Sequence, residues 1–350
     1  MRTIPLTQAM VIVTLSLLPG WHAEEVSAQN MPADLQVFLE RKIGLSDADI
    51  AKCYRDVVVK QVPMNDEPRE IAVFAIVRLD VSQDGFVAHF RQIDDFMKND
   101  NLHQIGMFSN PPKAENLSTL QLPESDFEEM ARCRIGNCKV KFPAETLQQL
   151  QEIDWSGKHA TESAMELFRT RSVDYVRAYT EKGNATLMVY ADKEKPMTLN
   201  EGFTSLFSQG TYLYRAHPAL MTYLKDFSRP PPKGVEDFFF WSLEDFGQRP
   251  TFTINQAAIY KKGQEGKTTH MIALKQIYAS HYFQARLQSL DLVDAADTEV
   301  PSFYLLYLDR LRFDMDVNTV KRMLISKGLR SHVTSWLQLL RNTIQEQKLH

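Results

Sequence analysis

Residues 251–350 carry four extended apolar segments followed by one long amphipathic stretch, and that order narrows the available folds more than any other feature. Thr251–Tyr260, Thr268–Ile277, Ala279–Leu290 and Ser302–Phe313 are rich in apolar, β-branched and aromatic residues. Gly263 and Gly266 supply a turn between the first two, which predicts an antiparallel hairpin. A single strand from Thr268 to Leu290 would run about 75 Å at the usual rise, so the chain must bend or bulge near Tyr278–Ser280. From Val317 to Gln345, the residues Val317, Val320, Leu324, Val333, Leu337, Leu340 and Ile344 form a sustained helical stripe. An antiparallel sheet with one apolar face needs cover, and a helix of this length supplies it.

The upstream chain alternates in period. Residues 32–60 read as helical: Leu35, Phe38, Leu39 and Ile43 share a face, Gly44 stops it, and Ser46 caps a second helix through Val57. Glu70–Val81 is nearly continuous in apolar residues, as a buried strand should be. Ser82 then caps a helix carrying Phe86, Phe90, Ile93 and Met97, and a short strand spans His103–Phe108. Residues 113–225 read as mostly helical, with segments around Leu147–Ile153, Ala164–Tyr179, Thr198–Phe207 and Pro218–Phe227. The run Arg229-Pro-Pro-Pro-Lys-Gly234 is a corner in which a helix cannot continue, and Val235–Phe246 is expected as a short helix after it.

The first 28 residues read as a secretory signal peptide. Arg2 precedes an apolar run from Ala9 to Leu18, then a Pro19-Gly20 break and small residues in Val26-Ser27-Ala28. That run is too short to anchor in a bilayer, so a mature chain from Gln29, periplasmic or extracellular, is expected, with no transmembrane anchor. The whole chain carries a net charge of −4; Arg2 against Glu24 and Glu25 gives −1 to the leader and leaves −3. Such a balance argues against a nucleic-acid partner, which draws a basic excess. Of three cysteines, Cys133 and Cys138 flank a Gly136-Asn137 turn. A structural disulfide is the first reading in an oxidising compartment, free thiols the second and a metal site the third. Cys53 reads as a buried, unreactive thiol.

Strand, helix, strand, helical block, antiparallel strands and one terminal helix is an order that resembles the helix-grip fold of START-like proteins. The likeness lies in residues 70–108 and 251–346, with about 113–225 as a helical insertion. It implies an α+β fold in which a curved antiparallel sheet packs on the C-terminal helix around an elongated cavity. The implied function is non-catalytic binding of a hydrophobic or amphipathic small molecule, a lipid for example. The Cys-Arg-x-Gly-x-Cys run also resembles that of exported bacterial proteins of unknown function, a likeness that implies no activity. Within the strands Met271, Ala273, Ile277, Ala279, Phe283, Ala285 and Leu287 share one parity, with Lys275 and His281 among them. Small inward residues leave room for a ligand, and a buried cation would need a partner such as an anionic head group. Lys275, Ala279, His281, Phe283, Ala285 and Arg310 are the candidate ligand-binding residues. A bend near Tyr278 would flip the parity and put Lys275 or His281 in water. Arg310 is equally explained by pairing with an acid from another strand.

No motif commits the chain to catalysis. Gly-x-Ser-x-Gly, His-Glu-x-x-His, Cys-x-x-Cys-His and Gly-rich phosphate loops are all missing from the sequence. Ser280 and His281 are neighbours on an extended segment and point apart. The acid pairs Asp94-Asp95 and Glu236-Asp237 read as solvated helix faces. No cofactor or metal is expected, and no enzyme activity is assigned. A structural or protein-interaction module, docking through the helical insertion, is the competing reading; a large internal cavity would favour ligand binding, and a large exposed apolar patch would favour docking.

Overall fold

The computed structural model describes residues 31–63, 67–208, 217–227, 230–247, 249–264, 267–296 and 300–347. The leader assigned to the first 28 residues lies outside these. The described chain is α+β: a large antiparallel sheet with helices on both faces and a long C-terminal helix.

Local chemistry explains the early elements. Helix α1 (Ala33–Phe38) runs into a π turn (Leu39–Ile43) that stops at Gly44, whose φ of 74° suits glycine. Ser46 caps α2 (Asp47–Lys52): its Oγ accepts from Asp49 N, while the Asp49 carboxylate accepts from Ser46 N. Helix α2 ends five residues before Val57, and the segment expected to end as helix continues as strand β1 (Val58–Val62). Val58 and Val59 are better served by pairing with the long strand β2 (Glu70–Leu79) than by a helix. Ser82 caps α3 (Gln83–Phe90), followed by α4 (Ile93–Phe96) and β3 (Leu102–Met107).

The helical block holds α5 (Glu124–Met130), α6 (Ala144–Gln151), α7 (Ala160–Lys182), a small ribbon of β4 (Val189–Tyr190) and β5 (Met197–Thr198), α8 (Leu199–Ser208) and α9 (Pro218–Asp226). It is followed by β6 (Val235–Asp245), β7 (Pro250–Gln264), β8 (Lys267–Ala279), β9 (Phe283–Asp294), β10 (Phe303–Phe313) and helix α10 (Thr319–Gln347). Residues 235–245 thus form a strand, not the expected helix. Phe239, Trp241 and Leu243 pack on one face and Phe240 on the other, so burial on both sides erased the alternation that marks a strand. Glu236 and Asp237 accordingly lie on a strand.

The eight strands run β1-β2-β10-β9-β8-β7-β6-β3, each antiparallel to its neighbour. Strands β3 and β6 are neighbours, so the helical block is inserted between two adjacent strands. It covers one face, against Phe239, Trp241, Ile254, Ala273 and Leu287. On that same face α1 and α2 pack on Phe74, Ile76, Tyr304 and Leu306. The opposite face, with Val73, Ala75, Leu274, Leu290 and Leu305, lies under α3, α4 and α10. No helix among the described residues is long and apolar enough to cross a membrane.

Candidate functional site

The residues singled out by strand parity do not share a face. Pairing between β7 and β8 passes from Ile254–Tyr278 directly to Asn255–Gln276, leaving Ile277 as a bulge. Upstream of it Met271 and Ala273 face the helical block, and downstream Ala279 faces α10. A second irregularity at Arg312/Phe313 leaves Phe283 on the α10 face and Ala285 on the other. The expectation of one inward-facing set is therefore corrected: the bulge flips the parity.

Three of the six candidates sit under the helical block as packing and pairing groups. The buried Lys275 Nζ donates to Asn184 Oδ1 (2.7 Å) and to Leu224 O (2.7 Å), and lies 4.7 Å from the Phe203 ring centre. Burial draws its ammonium pKa down to about 7. Ala285 is small because α8 comes close: a Cβ on Gly202 would stand 2.9 Å from that of Ala285. Arg310 donates to Glu70 Oε2 (3.0 Å) and to Leu206 O, so its acid comes from the neighbouring strand β2. Arg312 joins the same group through Glu70 and Gln284.

His281 lies between β8 and β9. Its Nδ1 meets Lys139 O at 3.0 Å and its Nε2 meets the buried Asp126 carboxylate at 3.3 Å. Both contacts are to acceptor oxygens, one on the backbone and one on a carboxylate. The remaining pair, Ala279 and Phe283, does face α10; Phe283 packs edge-on to Phe246 with centroids 4.9 Å apart. Cys133 and Cys138 are disulfide-bonded with Cα atoms 4.5 Å apart. Their loop is tied to residues after β4, with Gly136 N donating to Ala191 O (2.7 Å) and Cys138 N to Asp192 O (2.9 Å). Cys53 is a buried free thiol, its pKa pushed up to about 12 by burial.

What the sequence reading missed is a polar band on the α10 side of the sheet. Ser242 and Glu244 on β6, Thr253 and Asn255 on β7, Gln276 on β8, Arg286 and Gln288 on β9, and Asp309 on β10 are all buried. Their registers make them near neighbours: Thr253 pairs with Ser242, Asn255 with Gln276, Gln276 with Arg286, and Gln288 with Asp309. Arg286 grips Asp309 with two hydrogen bonds, Nε to Oδ1 at 3.0 Å and a terminal nitrogen to Oδ2 at 2.6 Å. Burial opposes the guanidinium charge, but the Asp309 carboxylate outweighs it and holds Arg286 charged. Tyr307 donates to Asp309 Oδ2 at 3.2 Å, and burial drives its phenol pKa well upward. Ser242 donates to Glu244 and contacts Thr253, which accepts from Asn255 Nδ2 at 2.7 Å. The carbonyl oxygen of Gln276 is buried with no hydrogen-bond partner among the described residues.

Helix α10 completes the surroundings. It rests on β1 and β2, and the Trp336 indole donates to Phe96 O at 3.1 Å while its ring meets Tyr307 of β10. His332 meets Asn101, just before β3 at the far edge of the sheet, with Nδ1 and Nδ2 2.9 Å apart. Helix α10 therefore touches elements at both edges. Burial lowers the His332 pKa, while Glu244 opposes that shift, which places His332 within electrostatic reach of the band. Alternating polar residues in Thr251-x-Thr253-x-Asn255 and Gln284-x-Arg286-x-Gln288 were the available signal for this band.

A separate groove of about 280 Å³ lies between α3 and the ends of β6–β8, lined by Asp84, Arg91, Glu236, Lys261 and His270. Its exposed charges already pair with each other, Lys261 with Asp84 (3.0 Å) and Arg91 with Glu236 (2.6 Å). Among the described residues no group of three or more His, Cys, Asp or Glu is placed to hold a metal ion. No protein-family model, curated protein or solved structure matches the chain. The likeness to START-like proteins thus rests on element order.

Proposed function

We propose that this is an exported protein that binds a hydrophobic or amphipathic small molecule non-catalytically between the sheet and α10. The observation that carries this reading is the buried polar band in an otherwise aromatic and aliphatic layer. Burying hydroxyl, amide and charged groups beneath a helix costs stability even when most are paired. An unmatched carbonyl oxygen such as that of Gln276 adds a further cost of about 1–3 kcal/mol. A binding site is where such a cost persists. Contact of α10 with both sheet edges supports a grip-like sheet wrapped around the helix, and the disulfide supports an oxidising compartment.

Native mass spectrometry of protein purified from its own compartment tests the reading, with organic extraction of what is bound. A stoichiometric small molecule is the expected result. A clean protein mass that does not shift on exposure to a lipid extract would overturn it.

A protein-interaction module is the second reading, and one observation favours it. Met315, Val320, Met323 and Leu324 are exposed at and just before the start of α10. The support lies there and not on the helical block, where Ile135 and Val189 are the exposed large apolar residues among those described.

A further inference from the structure

The first turns of α10 are apolar on the side that faces water. Val320, Met323 and Leu324 are 63 %, 64 % and 60 % exposed, and at spacings of three and four residues they adjoin on one side of the helix. Met315 is exposed in the segment that leads into it. Further along the same side stand Lys327, Ser331 and Gln338, all exposed, so the apolar run is confined to the first two turns. The opposite side carries the buried Leu329, Val333 and Leu337, which fix the rotation of the helix and keep the first three side chains outward. Arg322 holds this end in place by donating to the carbonyl oxygens of Glu67, Pro68 and Glu70.

Charge selects the occupant. Between Met315 and Arg330 the chain has four cations, Lys321, Arg322, Lys327 and Arg330, and one acid, Asp316, a net of +3 in a chain whose net charge is −4. No further acid follows on α10 until Glu346. Lys321, Lys327 and Arg330 are exposed and in no ion pair among the described residues, while Asp316 lies 3.9 Å from Arg69. Lys321 borders the apolar run, and Lys327 and Arg330 stand one and two turns beyond Met323. An apolar ridge with a cationic margin suits anionic head groups over acyl chains: the ridge enters the boundary while the cations stay at the phosphates. A groove on another protein would desolvate Lys321 and Lys327 along with the ridge and would have to supply an acid for each; a bilayer leaves both hydrated.

We infer that α10 docks the protein on an anionic lipid bilayer, with Val320, Met323 and Leu324 in the head-group boundary and Lys321, Lys327 and Arg330 at the phosphates. This surface goes beyond the small-molecule reading and does not rest on it.

Co-sedimentation of the purified full chain with sucrose-loaded vesicles tests it, using phosphatidylcholine alone and an equal mixture with phosphatidylglycerol. The mixed vesicles should bind at least tenfold more tightly, and about 0.5 M salt should remove most of the difference. Removal of single lipids by the protein would leave it in the supernatant, so sedimentation reads this surface alone. Met323→Ser combined with Leu324→Ser exchanges two exposed side chains and should cost tenfold or more, with the variant folded by circular dichroism. Lys321→Gln combined with Lys327→Gln should cost about 25-fold on the mixture, at about fivefold per cation, and leave phosphatidylcholine binding unchanged. Val37→Ser removes an exposed apolar side chain on α1, across the sheet from α10, and should change nothing. Absence of sedimentation with the mixed vesicles, equal affinity for both vesicles, unchanged binding in the serine pair or an equal loss in Val37→Ser would each overturn the docking. Dimerisation in the ultracentrifuge that the serine pair abolishes, without vesicle binding, would overturn it and assign the surface to a second copy of the chain.

Discussion

Lys275 holds an amine where water does not reach, and its protonation is coupled to folding. With a folded-state pKa near 7 and an ordinary value of 10.5 once unfolded, both states are charged below pH 7. Between these values the unfolded chain binds more protons, so stability rises with pH across the interval. Lys141, buried and drawn down to about 8, contributes in the same direction. Urea midpoints should therefore increase from pH 7 to pH 9.5 by an amount corresponding to several kcal/mol. Lys275→Met should flatten much of that rise; an unaltered slope in the variant would show that another group titrates. Asp309 is the converse case, a buried acid whose partner cannot shed its charge. Asp309→Asn should cost about 3–5 kcal/mol by denaturant unfolding, because Arg286 is left unpaired. A loss below about 1 kcal/mol would show the pair to be replaceable.

Single elements carry the next tier of consequences. The bulge at Ile277 determines which residues of β8 meet the helical block and which meet α10, so small residues on one strand serve different ends. Ala285 accommodates Gly202 of α8, and Ala285→Trp should destabilise by about 1–3 kcal/mol through overpacking. Ala279 faces α10, and Ala279→Trp should block the proposed ligand instead; equal loss of ligand in both variants, with stability unchanged, would contradict the partition. The Cys133–Cys138 bridge closes a short loop, worth about 2 kcal/mol in the chain-entropy account. Reduction should lower the melting temperature by a few degrees, read by calorimetry with and without dithiothreitol. The loop it closes, and the segment after β4 to which that loop is hydrogen-bonded, should show the largest gain in hydrogen exchange.

At the scale of the molecule, α10 joins the two edges of the sheet. Between those edges Trp336 anchors it, with its indole donating to Phe96 O of α4 and its ring meeting Phe96 and Tyr307 of β10. Trp336→Ala should cost about 3–5 kcal/mol and steepen the loss of ligand with temperature. A change within 1 kcal/mol would mean that the apolar residues Val333, Leu337 and Leu340 hold the helix without it. The helical block is a second cover on the other face, fastened by Arg310 to Leu206 O, by Arg312 to the Ser205 hydroxyl and by Lys275 to Leu224 O.

Several of these features were legible in the residues alone: the hairpin β7–β8, the strands β2, β9 and β10, the stripe of α10 from Val333 to Ile344 (its expected members Val320 and Leu324 are exposed), the caps at Ser46 and Ser82, and the Cys133–Cys138 pair. Each is written in a local period, a turn residue or a short spacing, which the chain expresses wherever it packs. Strand β6 was misread because burial on both faces removes the alternation that distinguishes strand from helix. The polar band, the Arg310–Glu70 pair and the division of Lys275 from Ala279 depended on register: a one-residue bulge reverses every side chain beyond it, and partners as distant in sequence as Glu70 and Arg310 meet only when β2 and β10 pair. Local patterning specified the elements and most of their buried faces. The tertiary fold alone decided which charges share a layer, because that depends on strand order and register, which no single segment encodes.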